Sequence, residues 1–193
     1  IAFADELGFR IKLLGIAEKT RSGIRQRVHP AMVPISAPIS AIEGVLNGVS
    51  IEGDFVGPVT LEGAGAGSGP TASAVVADLV DIARGRIIPL LGISSNYLTR
   101  STIDPMEDHK GAYFIRMMVY DRPGVLADIS VTLRDHDISI EGVIQRMRSA
   151  TEAVPVVVTV HETTERSMNA AMKKISEIKA IQPPIQAIRI ERS

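Results

Sequence analysis

The stretch Ala112-Tyr113-Phe114-Ile115-Arg116-Met117-Met118-Val119-Tyr120-Asp121-Arg122-Pro123-Gly124-Val125-Leu126 decides the fold. Its first nine residues are strand-length and nearly all apolar. Asp121-Arg122-Pro123-Gly124 then breaks the run and opens a helix over residues 124–134, with Leu126, Ile129 and Leu133 on one face. Further on, residues 138–147 and 153–161 read as strands. Residues 165–179 read as a helix with Met168, Met172, Ile175 and Ile178 inward, and 186–191 as a closing strand. The order is βαββαβ, the ferredoxin-like arrangement. Tyr113, Ile115, Met117 and Val119 alternate with Phe114, Met118 and Tyr120, so both faces of the first strand are apolar. Helices cover one face of such a sheet, and the other is expected to be buried against something else.

Upstream the composition changes. All but three of the 16 glycines lie at or before Gly92, the exceptions being Gly111, Gly124 and Gly142. Residues 1–7 read as the end of a helix stopped by Gly8. Strands over 9–18 and 24–33 form a hairpin around Arg21-Ser22-Gly23. Pro34 and Pro38 precede a short apolar helix over 39–46. A second hairpin, 48–52 with 56–61, turns at Gly53-Asp54. After the run Gly63-Ala64-Gly65-Ala66-Gly67-Ser68-Gly69-Pro70, an amphipathic helix spans 71–83, with Val75, Val76, Leu79 and Ile82 in its apolar stripe. The fold class expected is α+β: an antiparallel-rich front followed by the ferredoxin-like unit. Residues 85–111 hold Pro89, Gly92, Pro105 and Glu107-Asp108-His109-Lys110 without a sustained period, and read as a linker between domains at 1–84 and 112–193. The start at Ile1, inside a helix, reads as a piece of something longer.

Composition removes several function classes. The chain is 193 residues long, 45% hydrophobic and 22% charged, values of a globular protein rather than a disordered one. Lys and Arg total 21 against 22 Asp and Glu, for a net charge of −1, which offers no footprint for nucleic acid or an anionic membrane. Cysteine is absent, excluding disulfides, thiolate metal sites and cysteine nucleophiles, and this suits a cytoplasmic setting. No apolar run approaches the ~18 residues of a membrane span. Asp5, Glu6 and Arg10 interrupt any signal-peptide core.

Two segments are candidate sites. The glycine run leads into a helix whose N-terminus presents unpaired N–H groups, a setting that suits an anionic ligand and equally a flexible connection. It lacks the Gly-Lys-Ser/Thr of a P-loop. In the Asp121 to Leu126 turn, amides around Val125 and Leu126 would suit an α-carboxylate and Asp121 an α-ammonium, as for a free amino acid. An ordinary strand-to-helix turn fits the same residues. His29, His109, His136 and His161 sit in separate elements without ligand spacing, so no metal site is expected. No GxSxG elbow exists.

Residues 8–17 (Gly8-Phe9-Arg10-Ile11-Lys12-Leu13-Leu14-Gly15-Ile16-Ala17), Val28-His29-Pro30-Ala31-Met32-Val33-Pro34, Val45-Leu46-Asn47-Gly48-Val49 and the glycine run with Pro70-Thr71-Ala72-Ser73-Ala74-Val75 and Asp78 resemble the rear part of homoserine dehydrogenase. Residues 112–191, with Asp121-Arg122-Pro123-Gly124-Val125-Leu126-Ala127, resemble an ACT domain, the amino-acid-sensing module often attached to that enzyme. The resemblance implies interconversion of L-aspartate 4-semialdehyde and L-homoserine with NADP or NAD, in the pathway to threonine and methionine, under feedback by L-threonine. It implies cofactor-side contacts at Gly63, Gly65, Gly67 and Thr71. It implies effector contacts at Asp121, Arg122, Gly124, Val125, Leu126, Ile144 and Gln145, the last two side by side. It also implies a homo-oligomer assembled through the substrate-domain sheet and the ACT domain. The family's GxDxxxK signature and its GxGxxG dinucleotide domain are not found in this sequence, so the chain is expected to hold no catalytic residue, to bind no cofactor alone and to be inactive by itself. A stand-alone amino-acid-binding regulatory protein, or an oligomerisation module with a dead ligand site, remains the alternative.

Overall fold

The computed structural model describes every residue except 87, 90, 148, 150 and 193. Two positions of the expected linker, 87 and 90, thus lie outside the described residues. In order, the elements are α1 (Ala2–Glu6), β1 (Phe9–Lys19), β2 (Ile24–Pro34), β3 (Leu46–Gly53), β4 (Gly57–Ala64), α2 (Ser68–Ala83), β5 (Lys110–Val119), α3 (Val125–Asp135), β6 (Ile140–Gln145), β7 (Val154–Thr164), α4 (Glu165–Ser176) and β8 (Ile181–Ile190). They group into two compact units, Ile1–Pro34 with Thr102–Ser193, and Ile35–Ser101.

In the first unit a six-stranded sheet runs β1-β2-β8-β5-β7-β6. Its last four members and α3 and α4 are the expected βαββαβ domain, antiparallel throughout. Period-two alternation sends Tyr113, Ile115, Met117 and Val119 to one face. There they meet Val156, Val158 and Val160 of β7, Ile129 and Leu133 of α3, and Met168 and Ile175 of α4. Most of these side chains are fully buried, each contributing roughly 1.5–3 kcal/mol.

The opposite face is buried by the chain's own N-terminal segment. Phe114, Ala112, Val157 and Ile190 pack with Ala4 of α1 and Met32 of β2, flanked by Phe3, Leu7 and Phe9. The Leu7 and Gly8 amides close the end of α1 on the carbonyls of Phe3 and Asp5, and Gly8 turns at φ +79°, a region closed to most side chains. Arg146, just past β6, pairs with Glu6 and lies over the Phe3 ring, 5.7 Å from its centroid.

The β1–β2 hairpin joins this sheet through a parallel pairing of Ala31 with Arg189 and Met32 with Ile190. The compact units therefore do not follow the division at residue 84. Residues 1–34 group with the βαββαβ domain because β2 is a strand of its sheet, a pairing between distant segments that composition does not signal.

Several element boundaries also differ from expectation, three of them for a local reason. The helix over 39–46 is only a 3₁₀ turn, Pro38–Ala41, because Ile42 returns to extended backbone and β3 begins at Leu46. The helix over 71–83 starts earlier, at Ser68, capped by Gly67 at φ +123° and with Pro70 in the first turn, where its missing N–H costs nothing. The last strand begins at Ile181 rather than 186, passing through Pro183 and Pro184 where its pairing with β5 shifts register between Arg116 and Met118.

In the second unit, β3 and β4 form an isolated antiparallel hairpin in register from Leu46–Ala64 to Gly53–Gly57. No residue of α2 is buried, and its stripe at Val75, Val76, Leu79 and Ile82 is exposed. No helix among the described residues is long and apolar enough to cross a membrane.

Candidate functional site

The glycine run lies at the end of β4. Gly63 pairs with Asn47, and the Gly65 N–H donates to the Val45 carbonyl at 3.4 Å. A Cβ on Gly65 would overlap the Asn47 side-chain amide, which packs against the bare Gly65 backbone. Gly67 caps α2. The first-turn N–H groups of Ser68 and Gly69 have no carbonyl one turn back to accept them. Thr71, expected at the helix start, is the fourth helical residue, and its N–H is already donated to the Gly67 carbonyl at 3.1 Å. The run thus offers glycine backbone and two helix N–H groups on an exposed surface. An anionic or polar group would find donors there without side chains in the way.

The second candidate is built on the turn between β5 and α3. The Tyr120 N–H donates to Ala180 (2.8 Å), the Asp121 N–H to Ser149 (3.0 Å) and the Arg122 N–H to Tyr120 (2.8 Å). Gly124 caps α3 in the left-handed region at φ +96°, where a side chain would be strained. The Val125 N–H is partly spent on the Arg122 carbonyl at 3.3 Å, and its side chain is buried under α3. The Leu126 and Ala127 N–H groups lie in the first turn of α3, with no carbonyl one turn back within the helix to accept them. Arg122 is exposed and stands 5.8 Å from the Tyr120 ring centroid.

Ile144 and Gln145 are not side by side in the sense expected. Successive strand residues face opposite ways. Ile144, opposite Val157, packs into the cluster beneath α1, whereas Gln145 stands opposite Val156 on the face covered by α3 and α4. Gln145 therefore shares a side of the sheet with the start of α3, and Ile144 does not.

A third polar assembly escaped the sequence. The Tyr113 hydroxyl donates to Glu165 Oε2 at 2.7 Å, while Arg189 holds both oxygens of the same carboxylate from Nε (2.8 Å) and Nη2 (2.6 Å). Burial alone would raise the Glu165 carboxyl, but Arg189 and Tyr113 outweigh it and hold it below the ordinary value. Burial, then Glu165, pushes the Tyr113 phenol up. Nearby, Arg27 donates to Glu191 from Nε (3.1 Å) and Nη2 (2.9 Å) and to Glu18 from Nη1 (3.0 Å). Arg25, Arg27 and His29 occupy alternate positions of β2 and so share one face, and the buried His109 lies in reach of the Arg25 and Arg27 charges. Arg25, Arg27 and His29 recurring at every second residue was the available signal. No cluster of three or more His, Cys, Asp or Glu side chains suited to a metal occurs among the described residues.

Comparison with known proteins gives these elements a family. Residues 113–180 match the ACT domain model, so the βαββαβ unit is an ACT domain. Residues 1–80 match the homoserine dehydrogenase family model. The chain thus joins a homoserine dehydrogenase-family segment to an ACT domain. It is 39% identical to homoserine dehydrogenase of Neisseria gonorrhoeae over 99% of its own length and 45% of the relative's. The Pseudomonas aeruginosa homoserine dehydrogenase is 37% identical, with 100% of this chain and 46% of that protein covered. The crystal structure of a homoserine dehydrogenase from Thiobacillus denitrificans superimposes at a TM-score of 0.88 and 43% identity, over 100% of this chain and 44% of that one. The S. aureus homoserine dehydrogenase shares the fold at a TM-score of 0.67. The chain spans somewhat less than half the length of the curated relatives it matches.

Proposed function

We propose that the chain serves homoserine dehydrogenase activity, the NAD(P)-dependent interconversion of L-aspartate 4-semialdehyde and L-homoserine in threonine and methionine biosynthesis, and supplies its feedback-sensing part. The observation that carries this is the whole-chain superposition on the Thiobacillus denitrificans enzyme, with both family segments in the same order. A bound nicotinamide cofactor would supply the hydride acceptor or donor. Gly63, Gly65, Gly67 and Thr71 would stand at its edge, offering close backbone approach and the N–H groups that open α2. The sequence has no GxDxxxK segment, so catalytic groups are assigned to residues outside this chain and the chain alone is inactive.

In the ACT domain, Leu126 and Ala127 N–H groups would take an effector's carboxylate at the positive end of α3. Gly124 keeps that approach clear, and Asp121, Arg122 and Val125 shape the turn. Gln145 supplies a side-chain amide for L-threonine's hydroxyl, while Ile144 serves packing. Exposed apolar residues support self-association on two surfaces: Ile11, Leu13 and Val28 on the β1–β2 hairpin, and Leu126, Val131 and Val143 beside β6. A cytoplasmic biosynthetic setting suits these features.

Thermal unfolding with and without excess L-threonine tests the effector reading, with L-serine, L-methionine and L-isoleucine as controls. At about 100 times its dissociation constant a ligand adds roughly 2.7 kcal/mol, a rise of about 5–10 °C at this size. A rise selective for threonine supports the sensor. Equal midpoints in all four would favour an ACT module that only assembles subunits.

A further inference from the structure

We propose that residues 102–109 are a strap that makes the outer half of the β1–β2 hairpin open and close together with the ACT sheet, and that Asp104 is the latch that seats it. The hairpin needs such a device. β8 pairs with β2 at Ala31 and Met32, and Glu191 just beyond it holds Arg27, which leaves the end near Ile24 without a neighbour from β8. Toward its turn the hairpin runs past β8, and there Ile103 takes over as the parallel neighbour of Ile24. The Ile24 N–H donates to the Thr102 carbonyl at 2.8 Å, and the Asp104 N–H to the Ile24 carbonyl at 2.9 Å.

Side chains secure the same end. The Asp104 carboxylate, 8% exposed, accepts from the Thr20 hydroxyl and, at 3.0 Å, from the Ser22 hydroxyl, both in the hairpin turn. Arg25 Nη2 stands 3.7 Å from it. Gly23 completes the seat, because a Cβ there would overlap the Thr102 carbonyl oxygen. The turn and the strap are thus shaped for each other.

The far end of the strap belongs to the ACT domain. Pro105 and a 3₁₀ turn, Met106–Asp108, leave little slack. The His109 carbonyl accepts the N–H of Glu165, the first residue of α4, at 2.8 Å. Arg166 holds Glu107 at 3.1 Å and Asp108 at 3.3 Å. Lys110 then begins β5. One short segment is therefore hydrogen-bonded to α4 at one end and to the hairpin turn at the other, and a change in the ACT sheet reaches the hairpin through it. Use of this route by an effector rests on the sensor reading above; the strap itself does not.

Native-state hydrogen exchange of the 193-residue chain at low urea, read by NMR, tests the proposal. The Ile24 and Asp104 amides report the seated strap, the 14–28 amides the hairpin, and the 113–119 and 154–160 amides the ACT sheet. In the unaltered chain the hairpin and sheet amides should exchange through one shared opening. Asp104→Ala and Gly23→Ala should each speed exchange at Ile24 and across 14–28 about tenfold or more, leaving the sheet amides unchanged. A hairpin that opens independently in the unaltered chain overturns the proposal. So does exchange within about twofold of the parent in Asp104→Ala, including the case where only Gly23→Ala has an effect, which would assign the loss to the turn itself. With L-threonine added, slower exchange in sheet and hairpin together, reduced to the sheet alone in Asp104→Ala, supports effector use of the strap. No response of the sheet amides to threonine would refute the sensor reading and leave the strap to be judged on the ligand-free comparison.

Discussion

Replacing Glu165 by alanine should be among the most damaging polar substitutions in the ACT domain. Three donors converge on its carboxylate, the Tyr113 hydroxyl at 2.7 Å and Arg189 at 2.8 and 2.6 Å. Hydrogen bonds to a charged group contribute about 1.5–3 kcal/mol each at most, and breaking one member of a buried pair costs about 3–5 kcal/mol. The Arg189 side chain keeps 24% of its exposure, so water recovers part of that loss. A net cost of about 2–3 kcal/mol follows, or about 5–10 °C in midpoint at this chain length. Urea unfolding followed by far-ultraviolet circular dichroism measures it, within a cycle of Glu165→Ala, Arg189→Met and the double variant. Because the single change strands a guanidinium, adding Arg189→Met should cost almost nothing more, giving a coupling of about 1.5 kcal/mol or above. A single-variant loss under about 1 kcal/mol, or strictly additive losses, would refute the claim that this triad is one unit.

Met32→Ala tests whether the hairpin truly shares the second core. Met32 is fully buried against Phe114 and Val157, so a loss of about 2–5 kcal/mol in urea unfolding is expected; a loss below about 1 kcal/mol would mean the hairpin packs loosely. Stability should also fall on acidification through the histidine range. Burial, then Arg27, holds the His109 imidazole below its ordinary 6.5, so the unfolded chain takes up that proton first and folding loses ground as pH drops below 6.5. Urea midpoints at about pH 8 and about pH 5.5 should differ, and His109→Gln should shrink the difference; an unchanged difference excludes His109 as its source.

The ACT domain was legible because its signals are local. The double alternation in Tyr113 to Tyr120 announced a strand buried on both faces, and the apolar spacing in α3 and α4 fixed which sides face inward. What covered the second face was not legible. A parallel pairing of two residues between β2 and β8 leaves no trace in either segment, since Ala31-Met32 and Arg189-Ile190 are unremarkable pairs. The same holds for the strap, where Asp104 and Thr20 meet only after the fold has formed. Other misses were avoidable. Period-two alternation already placed Ile144 and Gln145 on opposite faces. Arg25, Arg27 and His29 at every second residue announced a polar face on β2. Pro183-Pro184 concealed the true start of β8, because prolines argue against a central strand and β8 bears them where its pairing with β5 shifts register.

The pairing of Ala31 and Met32 with Arg189 and Ile190 has a kinetic consequence. Met32 and Ile190 are 158 positions apart in the sequence. The hairpin closes locally, yet its place in the sheet does not exist until β8 has docked beside β5. Loop closure over that separation slows the step, since non-local pairing is rewarded only after its entropy has been spent. Until that step Met32 and Phe9 lack the cover that Phe114, Val157 and Ile190 give them in the folded sheet.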